Sequence, residues 1–365
     1  MKCVKCQTDN KLKERKENNG KCSSCKHEFT FDPKLSDSFT DPFFAKTILA
    51  ISVNDSLYFT PRQFYYFFNA RKYPAKLLWP GFVALGLGIF AFLVLPWALG
   101  FIFLAMAIVL WLPQVRNRLR LEFRHETKFS FEETGKAVNR WVMNNGKIAK
   151  LLPPPEISAL PTKINEEVTA YSFDRAVICD RTETAHFLIA NNFHFENNCA
   201  VLTVNGYPQN IFSTVLEMLH RNPELKVYAL HDASPSGVQL VHRLRVTPTW
   251  FANSSGVTIY ELGLLPRQLL KRHMFVCRSD ESANKAKAMP SAVRDNLQPD
   301  ELRWLDEGKY VELESLSPMT LLRLLREGIA KSRNPQEDDA LVILDGGGGY
   351  YGGSDVSVYS VDSFG

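Results

Sequence analysis

Val227-Tyr228-Ala229-Leu230-His231-Asp232-Ala233-Ser234-Pro235-Ser236-Gly237 reads as an apolar strand that ends in an acidic turn and leads into a helix. In sheets of parallel strands, such carboxyl ends carry binding and catalytic groups. Upstream the same rhythm runs through Ala176-Val177-Ile178-Cys179, a helical pattern over Thr182 to Ala190, the apolar Ala200-Val201-Leu202-Thr203-Val204, and a helical pattern over Ile211 to His220. Strands alternating with helices predict an α/β domain with a doubly wound parallel sheet, bounded at about residues 165–333. Asp180 then follows the first strand as Asp232 follows the third, which makes both candidates for one site.

The whole chain, 365 residues with a net charge of +4, has room for two or three domains. Its basic residues gather at Lys11 to Lys21, Arg71 to Lys76 and Arg116 to Arg124, a scatter that names no partner. Between Lys76 and Arg116 there is no charged residue, and Leu77 to Pro113 is apolar throughout. Split at Pro96, that block predicts a two-helix transmembrane hairpin (77–113), each half about 17 residues long. Basic residues on both flanks put both ends on one side. The expectation is an inner-membrane, multi-pass protein with both termini cytoplasmic and the lipid bilayer as a partner. Residues 34–76 would be a juxtamembrane segment, in which Phe59 to Phe68, with a capping Thr60 and Pro61, either lies along the interface or packs on the hairpin. Residues 114–164 would be a cytoplasmic linker ending in Leu152-Pro153-Pro154-Pro155, and 334–365 a Gly-rich flexible tail.

Cys3-Val4-Lys5-Cys6 and Cys22-Ser23-Ser24-Cys25 form two knuckles 15 residues apart, the spacing of a tetrahedral thiolate site. Residues 1–33 hold few apolar side chains, so zinc would be their folding core, and the set Cys3, Cys6, Cys22 and Cys25 is closed and hence structural. The module is similar to the zinc ribbons at the front of many bacterial membrane proteins and nucleic-acid enzymes. Lys11, Lys13, Arg15 and Lys16 between the knuckles form a solvated finger loop or touch phosphate. Cys179, Cys199 and Cys277 read as packing residues. This cysteine usage fits a reducing compartment, and with the first apolar run far from Met1 no signal peptide is expected.

Around the opening strand, Asp232, Ala233, Pro235 and Gly237 match the Asp-Ala-Asp-Pro-Tyr-Gly turn of a known family. The region resembles the Toprim domain of the topoisomerase VI A subunit and its meiotic recombination relatives. Asn205-Gly206-Tyr207-Pro208 is similar to that family's Lys-Gly-Tyr-Pro turn, Leu262 to Pro266 to its Gly-Leu-x-Pro turn, and Glu312 to Leu316 to its final acidic helix. Asp180 takes the place of the catalytic Glu that ends the family's first strand. The resemblance implies a magnesium site built from Asp180 and Asp232, and substrate-binding turns at Gly206, Tyr207, Pro208 and Gly237.

Two positions depart from the pattern. Ser234 replaces the second Asp of the motif, and Asp180 is shorter than Glu. Glu183 could stand in as a ligand and His231 as a ligand or proton relay. Against this, Asp232 could simply cap the next helix and His231 be a hydrogen-bonded structural residue. The family's DNA-cleaving tyrosine belongs to a domain for which this chain has no room, and the likeness of Tyr65-Tyr66 to its tyrosine pair reads as chance. Three functions follow from the resemblance and the architecture: a membrane-anchored protein that binds DNA or RNA and cleaves phosphodiesters with magnesium; a catalytically degenerate binding or assembly module; and a membrane effector or sensor in defence against foreign nucleic acid. Oligomerisation is compatible with each.

Overall fold

The computed structural model describes residues 1–33, 37–73, 127–155, 173–222, 225–252, 257–269 and 274–331. After a short first helix α1 (Leu12–Glu17) come α2 (Asp41–Ile51), α3 (Pro61–Lys72) and α4 (Phe131–Asn145). The α/β region follows with β1 (Arg175–Cys179), α5 (Thr182–Ala190), β2 (Cys199–Thr203), α6 (Gln209–Arg221), β3 (Lys226–Leu230), α7 (Leu240–Val246) and β4 (Ile259–Glu261), and ends in α8 (Pro318–Lys331).

The four strands pair in parallel in the order β2-β1-β3-β4. Side chains alternate across the sheet because the strand period is two. Val177, Cys179, Val201, Tyr228 and Leu230 face α5 and α8, while Ala176, Ile178, Ala200, Leu202, Val227 and Ala229 face α6 and α7. Both faces are covered, as the near-continuous apolar strands require. The chain leaves β1 for β2 on one side and returns past it to β3. The gap between the ends of β1 and β3 is therefore the switch point, where ligands bind in sheets of this kind.

The N-terminal helices build a separate aromatic core from Phe31, Phe44, Phe59, Phe64, Phe68 and Trp141. Thr60 and Gln63 cap α3 reciprocally, with Pro61 in the first turn, as the sequence indicates. Its aromatic residues are buried against protein: Phe64 and Phe68 enter the aromatic core, and Tyr66 packs on Phe275. The strap before α3 ties the two cores together. Phe59 pairs with the chain at residues 150–152, its N–H donating to Lys150 O at 3.0 Å and its carbonyl accepting from Leu152 N at 2.9 Å. Next to it, the Asn191 amide grips the Tyr58 backbone like a strand partner, accepting from Tyr58 N at 2.9 Å and donating to Tyr58 O at 3.1 Å.

The structure corrects the placement of this chain as an inner-membrane, multi-pass protein with both termini cytoplasmic. Among the described residues, no helix is long and apolar enough to cross a membrane. The longest, α4, has 15 residues. At about 1.5 Å per residue it reaches roughly 22 Å, short of the roughly 30 Å hydrocarbon layer. It also carries charged side chains, Glu132, Lys136 and Arg140 among them. The expected hairpin, Leu77 to Pro113, lies outside the described residues, as does the expected tail 334–365. Nothing among the described residues supports the bilayer as a partner.

Because the Asn191 side chain satisfies three backbone groups, Tyr58 N, Tyr58 O and Phe187 O, Asn191→Ala should lower stability by about 1–3 kcal/mol, the cost of leaving enclosed polar groups unpaired. Chemical denaturation of the full chain measures it.

Candidate functional site

Parallel pairing in register brings the ends of all four strands to one edge, so Asp180, His231-Asp232 and Glu261 are neighbours although up to 81 residues apart in sequence. The Asp232 N–H donates to Asp180 Oδ2 at 3.1 Å. Asp232 Oδ1 accepts from the Leu313 N–H at 2.7 Å, which draws in the short helical turn Leu313–Ser315 with Glu312 and Glu314 beside it. Arg181 gathers the acids: its Nη1 lies 3.2 Å from Asp232 Oδ2, 3.0 Å from Glu312 Oε1 and 3.3 Å from Glu314 Oε2. From the far side, α3 supplies Arg62 at 2.9 Å and the Tyr66 hydroxyl, donating at 2.9 Å, to Glu312, while Thr60 Oγ1 donates to Glu314 Oε1 at 3.1 Å.

Four carboxyl groups thus share two guanidinium groups, an imbalance that low solvent access makes costly. Burial, and then the nearby Asp232 charge, push the Asp180 carboxyl up to about 7. Burial pushes Glu314 up to about 8 despite Arg181. Asp180 Oδ1 is enclosed with no hydrogen-bond partner among the described residues. Hard oxygen donors, an unpartnered carboxyl oxygen and more carboxyl than guanidinium groups suit a divalent cation such as magnesium, whose charge favours the ionised acids.

His231 is fully buried. Its Nδ1 lies 2.9 Å from the Asp232 carbonyl and its Nε2 3.2 Å from Glu261 Oε1. Both partners present oxygens, and the protonated ring donates to both. Burial works against that charge, but the Glu261 hydrogen bond and carboxylate hold the ring above its ordinary value, and Glu261 is lowered in return. Space for the ring depends on two glycines. A Cβ on Gly263 would meet the His231 ring at 2.4 Å, and one on Gly237 would stand 2.1 Å from the Asp232 carbonyl oxygen.

The other sequence candidates take varied positions. Ser234 Oγ accepts from Gly237 N at 3.0 Å as the cap of the helix Pro235–Val238. Glu183, in the first turn of α5, approaches Arg181 Nε only to 3.9 Å. Gly206, at φ +86°, turns the chain at the end of β2, with Tyr207 N donating to Thr203 Oγ1 at 3.1 Å and Pro208 leading into α6. Cys179 and Cys199 are buried, whereas Cys277 Sγ lies 3.3 Å from the Tyr66 hydroxyl. Sequence reasoning missed Arg181, Arg62, Tyr66 and Glu261 as parts of this edge. Only Arg181, next to Asp180, carried a local signal.

A second centre lies at the N-terminus, where the ligand atoms of Cys3, Cys6, Cys22 and Cys25 all fall within 4.8 Å of one another. That spacing and four thiols fit a tetrahedral zinc site. Asn10 supports it, its Nδ2 donating to Cys22 Sγ at 3.4 Å while its Oδ1 accepts from Ser23 N at 2.7 Å. Arg15 is not part of a solvated loop: it is buried in an ion pair with Asp32 at 2.7 Å. His27 Nε2 lies 3.0 Å from Asn145 Oδ1, which fastens the module to α4.

Purified chain should carry one zinc ion that Cys22→Ser loses, as read by elemental analysis. Stability should also depend on pH in a defined direction. Folded-state values above the ordinary 3.8 and 4.5 mean that protonated Asp180 and Glu314 stabilise fully below those values, and that this stabilisation is lost as pH rises through about 7 and 8. Without divalent cation, the melting temperature should therefore fall between pH 5.5 and 8.5, and Asp180→Asn should flatten the fall.

Comparison with known proteins gives one family match and no match among curated proteins. Residues 177–326, which run from β1 into α8, match the family model for the Toprim domain of the topoisomerase 6 A subunit and Spo11, so this α/β region is similar to that domain.

Proposed function

We propose that this chain acts on nucleic acid, and that it cleaves phosphodiesters at the carboxyl edge of its sheet with a divalent cation held by Asp180 and Asp232. The Toprim likeness of residues 177–326 suggests nucleic-acid-related, metal-dependent work. One observation carries the reading to these residues: Asp180 and Asp232 end the two strands that flank the switch point and are joined by a 3.1 Å hydrogen bond, in a centre with more carboxyl than guanidinium groups.

Such an ion supplies charge stabilisation to a transferring phosphoryl group. The chain's own residues set its surroundings. Asp180 Oδ2 is fixed by the Asp232 N–H and leaves Oδ1 free to ligate. Leu313 N and Arg181 orient Asp232, and Arg62 and Tyr66 hold Glu312. A second reading, binding without cleavage, is favoured by Arg181 itself, whose guanidinium partly neutralises Asp232, Glu312 and Glu314, and by Ser234 serving as a cap.

Incubating the full chain with labelled DNA and RNA, with and without magnesium or manganese, tests both. Cation-dependent cleavage should fall roughly hundredfold or more in Asp232→Asn, since several kcal/mol of charge stabilisation depend on the ion. Cleavage unchanged in that variant refutes the site. Binding without cleavage establishes the second reading, and no binding at all overturns both.

A further inference from the structure

Arg62 joins the acidic centre to a second feature. Its Nη1 lies 2.9 Å from Glu312 Oε1, and its guanidinium carbon stands 5.1 Å from the centroid of the Phe131 ring. Both side chains reach solvent, Arg62 at 38% and Phe131 at 44% exposure. From Phe131 a groove of about 330 Å³ runs between α4 and the segment 147–154, walled by Val138, Val142, Ile148 and Leu152, with the exposed Lys147 also lining it. The volume lies in the range of about 300–1,000 Å³ typical of small-ligand sites. The nearby acids of α4 are engaged, Glu132 with Lys136 at 2.6 Å and Glu133 with the Ser130 N–H at 2.7 Å.

A half-exposed aromatic ring, one face of which carries Arg62 and which meets the Tyr65 ring at 5.7 Å, an apolar groove and the exposed cation of Lys147 are the chemistry by which unpaired nucleotides are held: a π face for the base and positive charge for a phosphate. A duplex, whose bases are stacked on each other, offers no free face to such a ring. We propose that this groove is a subsite for an unpaired nucleotide of single-stranded nucleic acid, its base on the face of Phe131 opposite Arg62 and a flanking phosphate against Lys147. The inference rests on the reading of the chain as acting on nucleic acid, and it names the form of substrate: a strand that is single-stranded beside the acidic centre.

The test uses the full chain and fluorescein-labelled DNA, a mixed-sequence single strand and a duplex of equal length, with titrations at several salt concentrations. Phe131→Ala should weaken single-strand binding roughly 5- to 100-fold, as loss of one stacking contact does, leave duplex binding unchanged, and be rescued by Phe131→Tyr. Gly135→Leu provides a second variant, expected to keep the fold by its unchanged melting temperature: a Cβ there meets nothing within 4 Å, the position lines the groove, and Leu favours helix over Gly. It should weaken single-strand binding by obstruction. Lys147→Gln should lower the salt slope for the single strand by about 0.7. Single-strand affinity unchanged in Phe131→Ala and Gly135→Leu, or lost equally on duplex, overturns the subsite and leaves the proposed function standing. A wild-type chain that binds neither DNA overturns both.

Discussion

A guanidinium placed among carboxylates organises this molecule. Arg181 leaves the end of β1 and meets Asp232 from β3 together with Glu312 and Glu314 from the last quarter of the chain. Glu312 in turn accepts from Arg62 and Tyr66 of α3. Sheet, C-terminal segment and N-terminal helices therefore converge on one network of charge-assisted hydrogen bonds, stronger than neutral ones and strongly directional. Removing one partner from such an enclosed network costs more than the contact it made, because the groups left behind keep their charge without its neutralisation. The surplus of carboxyl groups keeps the centre receptive to positive charge, and the apolar strands beneath it hold that surplus in place.

The sheet is legible in the sequence because its signal is local. Runs such as Val227 to Leu230 and Ala176 to Cys179 are short apolar segments set between helical patterns, and strand-end position alone marks Asp180 and Asp232. The cysteine knuckles are legible for a similar reason, since chelate spacing is written in the sequence itself. What the acids do to each other is not legible. Arg62 and Glu312 are 250 residues apart, and nothing in either segment announces the other. Tyr66 reads in sequence as a chance likeness, yet its hydroxyl sits on Glu312 because α3 turns that face toward the sheet domain.

His231 illustrates a different limit. A histidine beside an aspartate at a strand end reads more readily as a hydrogen-bonded structural group than as a ligand or relay. The distinction depends on Glu261 from the neighbouring strand and on the missing side chains at Gly237 and Gly263. The ring is walled off from solvent, and hydrogen bonds at both nitrogens fix it under the acidic edge. Arg15 reverses its reading in the same way: in sequence it belongs to a charged finger, in space it is the buried partner of Asp32. Formal charge is visible in a sequence, but whether it faces water or another charge is decided by distant packing.

The clasp of residues 58–66 on the sheet domain also fixes an order of events. Thr60 and Glu314, joined at 3.1 Å, are 254 residues apart, so the N-terminal helices can complete their own aromatic core long before their partners in the acidic centre exist. During synthesis, Arg62 and Arg181 emerge well ahead of Glu312 and Glu314, and the network closes only when nearly the whole described chain is out. The centre is thus among the last parts of the molecule to form. A ribosome that stops before residue 312 releases a chain with both arginines in place and two of their carboxylates missing.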